Sequence, residues 1–227
     1  MLPPTAVLTD IEGTTTPIAF VHEVLFPYAR TRLPGWCKVH CDAPVIGEVA
    51  RLAPGAMIVD TLLGWMERDE KITPLKTIQG MIWAEGYAKG EIVGDLYPDV
   101  APALRRWANG GLRLYVYSSG SVDAQKLLFG HSSAGDLTPL FQGFFDTKVG
   151  PKREATSYAS ICRGANVAAF EFLFLSDVEA ELDAAAAAGM QTCQLVRPQD
   201  RTVAGTRHAV AADFAEVARL CGLPKLA

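Results

Sequence analysis

The chain has 227 residues and a formal net charge of −4, with 21 basic and 25 acidic residues, a length that suits one sizeable core or one domain carrying a smaller inserted one. With no dense Lys/Arg cluster, it lacks the electrostatic footprint of a nucleic-acid or anionic-membrane binder. Its longest apolar strand-like run, Phe172 to Leu175, is far shorter than the ~20 residues of a spanning helix.

Ala6-Val7-Leu8 reads as a short buried strand that stops at Asp10-Ile11-Glu12-Gly13-Thr14-Thr15-Thr16. Two carboxylates there are costly without a cation or proton. The C-terminal edge of an open parallel sheet is where ligands bind, so Asp10 and Glu12 are the first candidate site residues. From Phe20 to Lys89 the apolar residues recur at helical spacing, with no strand pattern. The clearest helix is expected to open at Thr73-Pro74, with Thr73 as N-cap, and to stop at Gly90. Pro34, Gly35, Pro44, Pro54 and Gly55 are expected to mark connections.

From about Asp95 helices and strands alternate. Asp99 to Trp107 reads as a helix, Leu112 to Tyr117 as a strand running into Ser118-Ser119-Gly120, and Val122 to Phe129 as a helix. A short strand is expected at Phe144 to Thr147 and a helix from Pro151 to Ile161. Next come a buried strand, Phe172 to Leu175, a helix, Val178 to Ala188, a strand, Thr192 to Val196, and a closing helix, Asp213 to Leu220. This predicts an α/β fold: a doubly wound, Rossmann-like parallel sheet formed by residues 1–17 and 95–227, with a small all-helical domain, 18–94, inserted after the first strand.

Four strand-to-loop junctions carry chemically useful groups. They are Asp10 with Glu12; Ser118, Ser119 and Gly120 at a helix N-terminus, where hydroxyls and free N–H groups suit a phosphate oxygen; Lys152 at the start of the next helix; and Asp177, with Glu181 one helical turn on. Each alone has an ordinary structural explanation as a cap or a surface charge. A parallel sheet, however, brings all four to one edge. The odd number of cysteines (Cys37, Cys41, Cys162, Cys193, Cys221) fits free thiols in a reducing, cytoplasmic compartment. Cys37, His40 and Cys41 lack the second ligand pair of a zinc site. His22 and His131 are read as surface or structural.

With these segments in place, the chain resembles the haloacid dehalogenase-like superfamily of aspartate-nucleophile phosphohydrolases. LTDIEGTTTPIAF (Leu8 to Phe20), YVYSSGSVDAQKLLFGH (Tyr115 to His131), FDTKVGPK (Phe145 to Lys152) and FLSD (Phe174 to Asp177) resemble its enolase-phosphatase branch of methionine salvage. The likeness covers most of the chain and is weakest in the helical insert, where LKTIQGMIW (Leu75 to Trp83) is the recognisable part. Glu12 stands where most of the superfamily's phosphatases carry aspartate, as it does in that branch. The resemblance implies Asp10 as nucleophile and Glu12 as acid/base. It further implies Mg²⁺ held by Asp10, the residue-12 position and Asp177, phosphate held by Lys152, Ser118, Ser119 and Gly120, and Glu181 in support. The implied substrate is a small phosphorylated diketone, enolised and then dephosphorylated by a monomeric enzyme. The helical insert would be a cap reaching the substrate through Trp83 or Phe20. A general small-molecule phosphatase and a non-catalytic phosphometabolite binder are the alternatives.

Overall fold

The computed structural model describes residues 3–224; positions 1, 2 and 225–227 of the expected core lie outside the described residues. The chain divides into two compact units, Met1–Ala19 with Gly94–Ala227, and Phe20–Val93.

The first unit begins with β1 (Ala6–Thr9), buried at every residue. In the second, a π-helical turn (Phe20–Leu25) leads into α1 (Phe26–Val39), α2 (Pro44–Leu52), α3 (Ile58–Glu67) and α4 (Thr73–Ala88). The expected break at Pro34-Gly35 is absent: both residues lie inside α1. An interior proline removes one helical hydrogen bond and crowds the preceding turn. That cost is offset by burial of Ala29, Leu33, Trp36 and Cys37 on the same helix, which pack with Leu62, Ile78 and Ile82 of α3 and α4. Thr73 is likewise the first residue of α4 rather than its cap; Ile72 precedes it in extended conformation, with no side-chain cap.

The first unit resumes with α5 (Val100–Asn109), β2 (Arg113–Tyr117), α6 (Val122–Gly130) and β3 (Phe141–Phe145), then α7 (Ala155–Ala165) and β4 (Phe172–Ser176). It ends with α8 (Glu179–Ala187), β5 (Gln191–Leu195), β6 (Ala209–Ala211) and α9 (Phe214–Cys221). β3 lies earlier than expected. Asp146 ends it by accepting the Lys148 N–H on its side chain at 2.9 Å and the Val149 N–H on its carbonyl at 3.1 Å, an Asx turn that leaves no strand at Thr147. The six strands are all parallel, in the order β3-β2-β1-β4-β5-β6, so the chain reverses its winding direction between β1 and β4. A doubly wound sheet opens its ligand crevice at that switch.

Alternation along the strands builds two cores. Ala6, Leu8, Tyr115, Tyr117, Phe172 and Phe174 share a cluster with Tyr158 and Ile161 of α7 and Leu182 and Ala185 of α8. Val7, Leu114, Val116, Leu173 and Leu175 alternate with them and are equally buried. Elsewhere in this unit, Trp107 of α5 stacks on Phe214 of α9 with ring centres 5.0 Å apart. The register decides what happens at the sheet edge. Thr9 lies between Val116 and Leu175, so β1 leaves the sheet at Asp10 beside the points where β2 and β4 leave at Ser118 and Asp177. Among the described residues, no helix is long and apolar enough to cross a membrane.

Candidate active site

Asp10 is only 5 % exposed. Its Oδ1 accepts the Ile11 N–H at 2.7 Å, and its Oδ2 lies 2.7 Å from Lys152 Nζ. The same ammonium lies 2.6 Å from Glu181 Oε2 on α8. Lys152 therefore bridges two carboxylates, one just past the end of β1 and one in the first turn of α8. Ser176, fully buried at the end of β4, stands with its hydroxyl 3.4 Å from Asp10 Oδ2 and 3.2 Å from Glu181 Oε2, and accepts the Val178 N–H. In the sequence Ser176 stands just past the expected strand, inside FLSD, with no role assigned to it; the structure makes it the last residue of β4.

Asp177 joins the group from the other side of the motif turn. Gly13 has φ +66°, and a Cβ there would stand 2.5 Å from Asp177 Oδ2. Glycine is thus required twice at one position, by backbone conformation and by the approach of a carboxylate. Asp10 and Glu181 pair with the one lysine, and Asp177 feels its charge without an ion pair to it. Burial and the charge of Asp10 push the Asp177 carboxyl up to about 7, and the same two causes raise Glu181. Burial works against the Lys152 charge, but Asp10 and Glu181 outweigh it and hold the ammonium above its ordinary pKa.

Glu12 is half-buried in a turn that folds back on Ile11, whose carbonyl accepts the N–H groups of Thr14, Thr15 and Thr16. At the end of β2, the buried Ser118 accepts the Gly120 N–H at 3.2 Å, while Ser119 is exposed. Gln125 of α6 donates to the carbonyls of Gly120 and Phe145, both at 2.8 Å, tying this loop to the end of β3. Ser121 caps α6 by accepting the Ala124 N–H. Lys152 corrects one expectation. α7 starts at Ala155, so Lys152 lies in the loop ahead of the helix, where its backbone carbonyl is free to accept a side-chain donor.

Phe20 is buried; Trp83 donates its indole N–H to the Leu25 carbonyl at 2.8 Å and packs near Phe26. His22 and His131 are exposed, and His40 stacks on Trp36. Cys37 and Cys193 are buried, Cys41 is exposed, and all five cysteines are free thiols. Two open depressions, of about 290 and 370 Å³, lie wholly on the helical unit and are lined by none of the predicted site residues.

The haloacid dehalogenase-like hydrolase family profile matches residues 4–189. Enolase-phosphatase E1 of Gluconacetobacter diazotrophicus is 56 % identical over 223 residues, covering 96 % of this chain and 95 % of that protein. Enolase-phosphatase E1 of Acidiphilium cryptum is 57 % identical over 219 residues, covering 95 % and 94 %. The chain belongs to the enolase-phosphatase E1 family of haloacid dehalogenase-like hydrolases. The family likeness extends to structure: the UTR4 protein of Saccharomyces cerevisiae superposes with a TM-score of 0.81 at 37 % identity, covering 93 % of this chain and 98 % of that one. An enolase-phosphatase of this family is a metal-dependent phosphatase acting on a phosphorylated small molecule, and the acid excess around Asp10 suits a cation. Among the described residues no three His, Cys, Asp or Glu side chains are gathered closely enough to hold a metal by themselves. The donor set is all oxygen, which fits a hard cation that keeps several waters.

Proposed function

We propose that the chain converts 2,3-diketo-5-methylthiopentyl-1-phosphate to the acireductone 1,2-dihydroxy-3-keto-5-methylthiopentene and phosphate, in methionine salvage. The observation that carries this reading is the buried Asp10 carboxylate with Lys152 Nζ 2.7 Å from it, in a chain of this family. Asp10 attacks phosphorus, the bond from phosphorus to the substrate oxygen breaks, and Glu12 protonates that oxygen. Water then attacks the aspartyl-phosphate, Glu12 takes its proton, and phosphate leaves with Asp10 restored. Lys152 places its charge beside the transferring oxygens, and Ser118 with the N–H groups of Ser119 and Gly120 binds another.

Asp10, Asp177 and the residue-12 position, through its carboxylate or its backbone carbonyl, would hold Mg²⁺, with Glu181 in support. When bound, the ion neutralises the acids and offsets phosphate charge. In this reading the helical unit is the cap that excludes water during enolisation, and the enzyme is a cytoplasmic monomer that engages neither nucleic acid nor membrane. The test is a spectrophotometric assay on the diketone phosphate with and without Mg²⁺. The expected course is Mg²⁺-dependent enol absorbance that precedes phosphate release. Release without a preceding enol, together with turnover of many phosphomonoesters, would replace this reading with a general phosphatase.

A further inference from the structure

Lysine carries its charge on a flexible stem, so the placement of Nζ between Asp10 and Glu181 depends on how firmly the Lys152 backbone is held. Three consecutive carbonyls of its loop each accept a hydroxyl. Tyr117 Oη donates to Gly150 O at 2.9 Å, Ser157 Oγ to Pro151 O at 2.7 Å, and Tyr158 Oη to Lys152 O at 2.7 Å. All three donors are fully buried. The loop lies so close to α7 that a Cβ on Gly150, at φ +138°, would stand 2.2 Å from Ser157 Oγ, and Lys152 Nζ rests 5.8 Å from the centre of the Tyr117 ring. Neither tyrosine hydroxyl reaches out of the core for packing alone; each ends on a carbonyl within two residues of the lysine.

We infer that Tyr158 is a positioning residue for Lys152: its hydroxyl, bonded to the lysine's own carbonyl, fixes the backbone from which Nζ bridges Asp10 and Glu181. The inference rests on the proposed role of Lys152 at the phosphoryl group. Tyr158→Phe keeps the ring, which packs 5.5 Å from Tyr117 and 5.1 Å from Phe174, and removes only the tether. Small displacements of a charge-stabilising group cost rate steeply, so kcat should fall by about ten- to a hundredfold, with a smaller change in KM. Acylation of Lys152 by an amine-reactive ester, followed by peptide mass spectrometry on the folded protein, should rise several-fold as the ammonium loosens.

In a Lys152→Ala background, Tyr158→Phe should have little further effect on kcat. An equal loss in both backgrounds would mark Tyr158 as merely structural and overturn the inference, as would unchanged kcat with unchanged acylation. Wild-type turnover in Lys152→Ala would instead remove the proposed role of Lys152, while the acylation rate would still decide whether the tether exists. Should Tyr158→Phe fail to fold, 4-fluorophenylalanine incorporated at position 158 fills the space of the hydroxyl without donating to the Lys152 carbonyl. It is expected to raise acylation several-fold, and wild-type acylation with wild-type kcat would overturn the inference.

Discussion

Two buried cations lie in the same α/β unit and are handled in opposite ways. Arg197, 2 % exposed, is paired with both carboxylate oxygens of Asp99 at 2.9 and 3.1 Å. It donates further to the carbonyls of Thr14 and Ala212, and its guanidinium lies 4.1 Å from the centre of the Tyr97 ring. One charge meets one countercharge and the remaining donors are bonded. Lys152 meets Asp10 and Glu181, with Asp177 close by, so its cluster holds more acid than base. A balanced, fully bonded buried charge specifies structure, here the turn through Thr14; an unbalanced one is unfinished without a ligand. The contrast predicts that variants at the two sites separate stability from activity.

The largest effect is expected at Asp10→Asn: phosphate release falls at least about a thousandfold, while the melting temperature holds or rises because one of three crowded acids is neutralised. Appreciable residual turnover would remove Asp10 as nucleophile. Arg197→Met should do the reverse. Leaving Asp99 and the Thr14 carbonyl without their partner costs about 3–5 kcal/mol of stability, measurable by urea denaturation, and a loss below about 1 kcal/mol would contradict the structural role. Lys152→Ala should lower kcat/KM by about a hundredfold, and in the metal-free protein it should lower stability as well, because it leaves Asp10 and Glu181 without their cation.

The smallest effect is in pH. With the Asp177 carboxyl pushed from 3.8 up to about 7 by burial and by Asp10, the folded protein binds a proton that the unfolded chain has released. Stability from this group is therefore complete below pH 4 and lost as pH rises to about 7. Thermal melts of the metal-free protein should show a downward component across that window that Asp177→Asn removes. An identical pH profile in the variant would contradict it.

Much of this was legible in the sequence where the signal is local. Ala6 to Thr9 is a fully buried strand that ends on acid, and the parallel register carries Asp10 and Asp177 to one edge. β6 was not legible: Ala209–Ala211 is three residues at the sheet margin, too short for a pattern. Pro34 looked like a break because tertiary burial of α1, which outweighs the proline, cannot be read from spacing. Pro151 looked like a helix start, yet the loop around Lys152 is set by hydroxyls on Tyr117 and Tyr158 that read as core aromatics. Arg197 was illegible for the same reason; its partners come from residues 14, 99 and 212. Groups that react sit next to sequence signals, whereas groups that hold them are assembled by the fold.

The claim that the acid excess around Asp10 is a cation site is tested most directly by titrating Mg²⁺ into the metal-free protein at pH 6.5, by calorimetry in buffers of different ionisation enthalpy. A single site that releases protons on binding is expected, because Asp177 must ionise to accept the metal, with an affinity at least about tenfold weaker in Asp177→Asn. Equal affinity in wild type and variant, or no binding by the wild type, would contradict it.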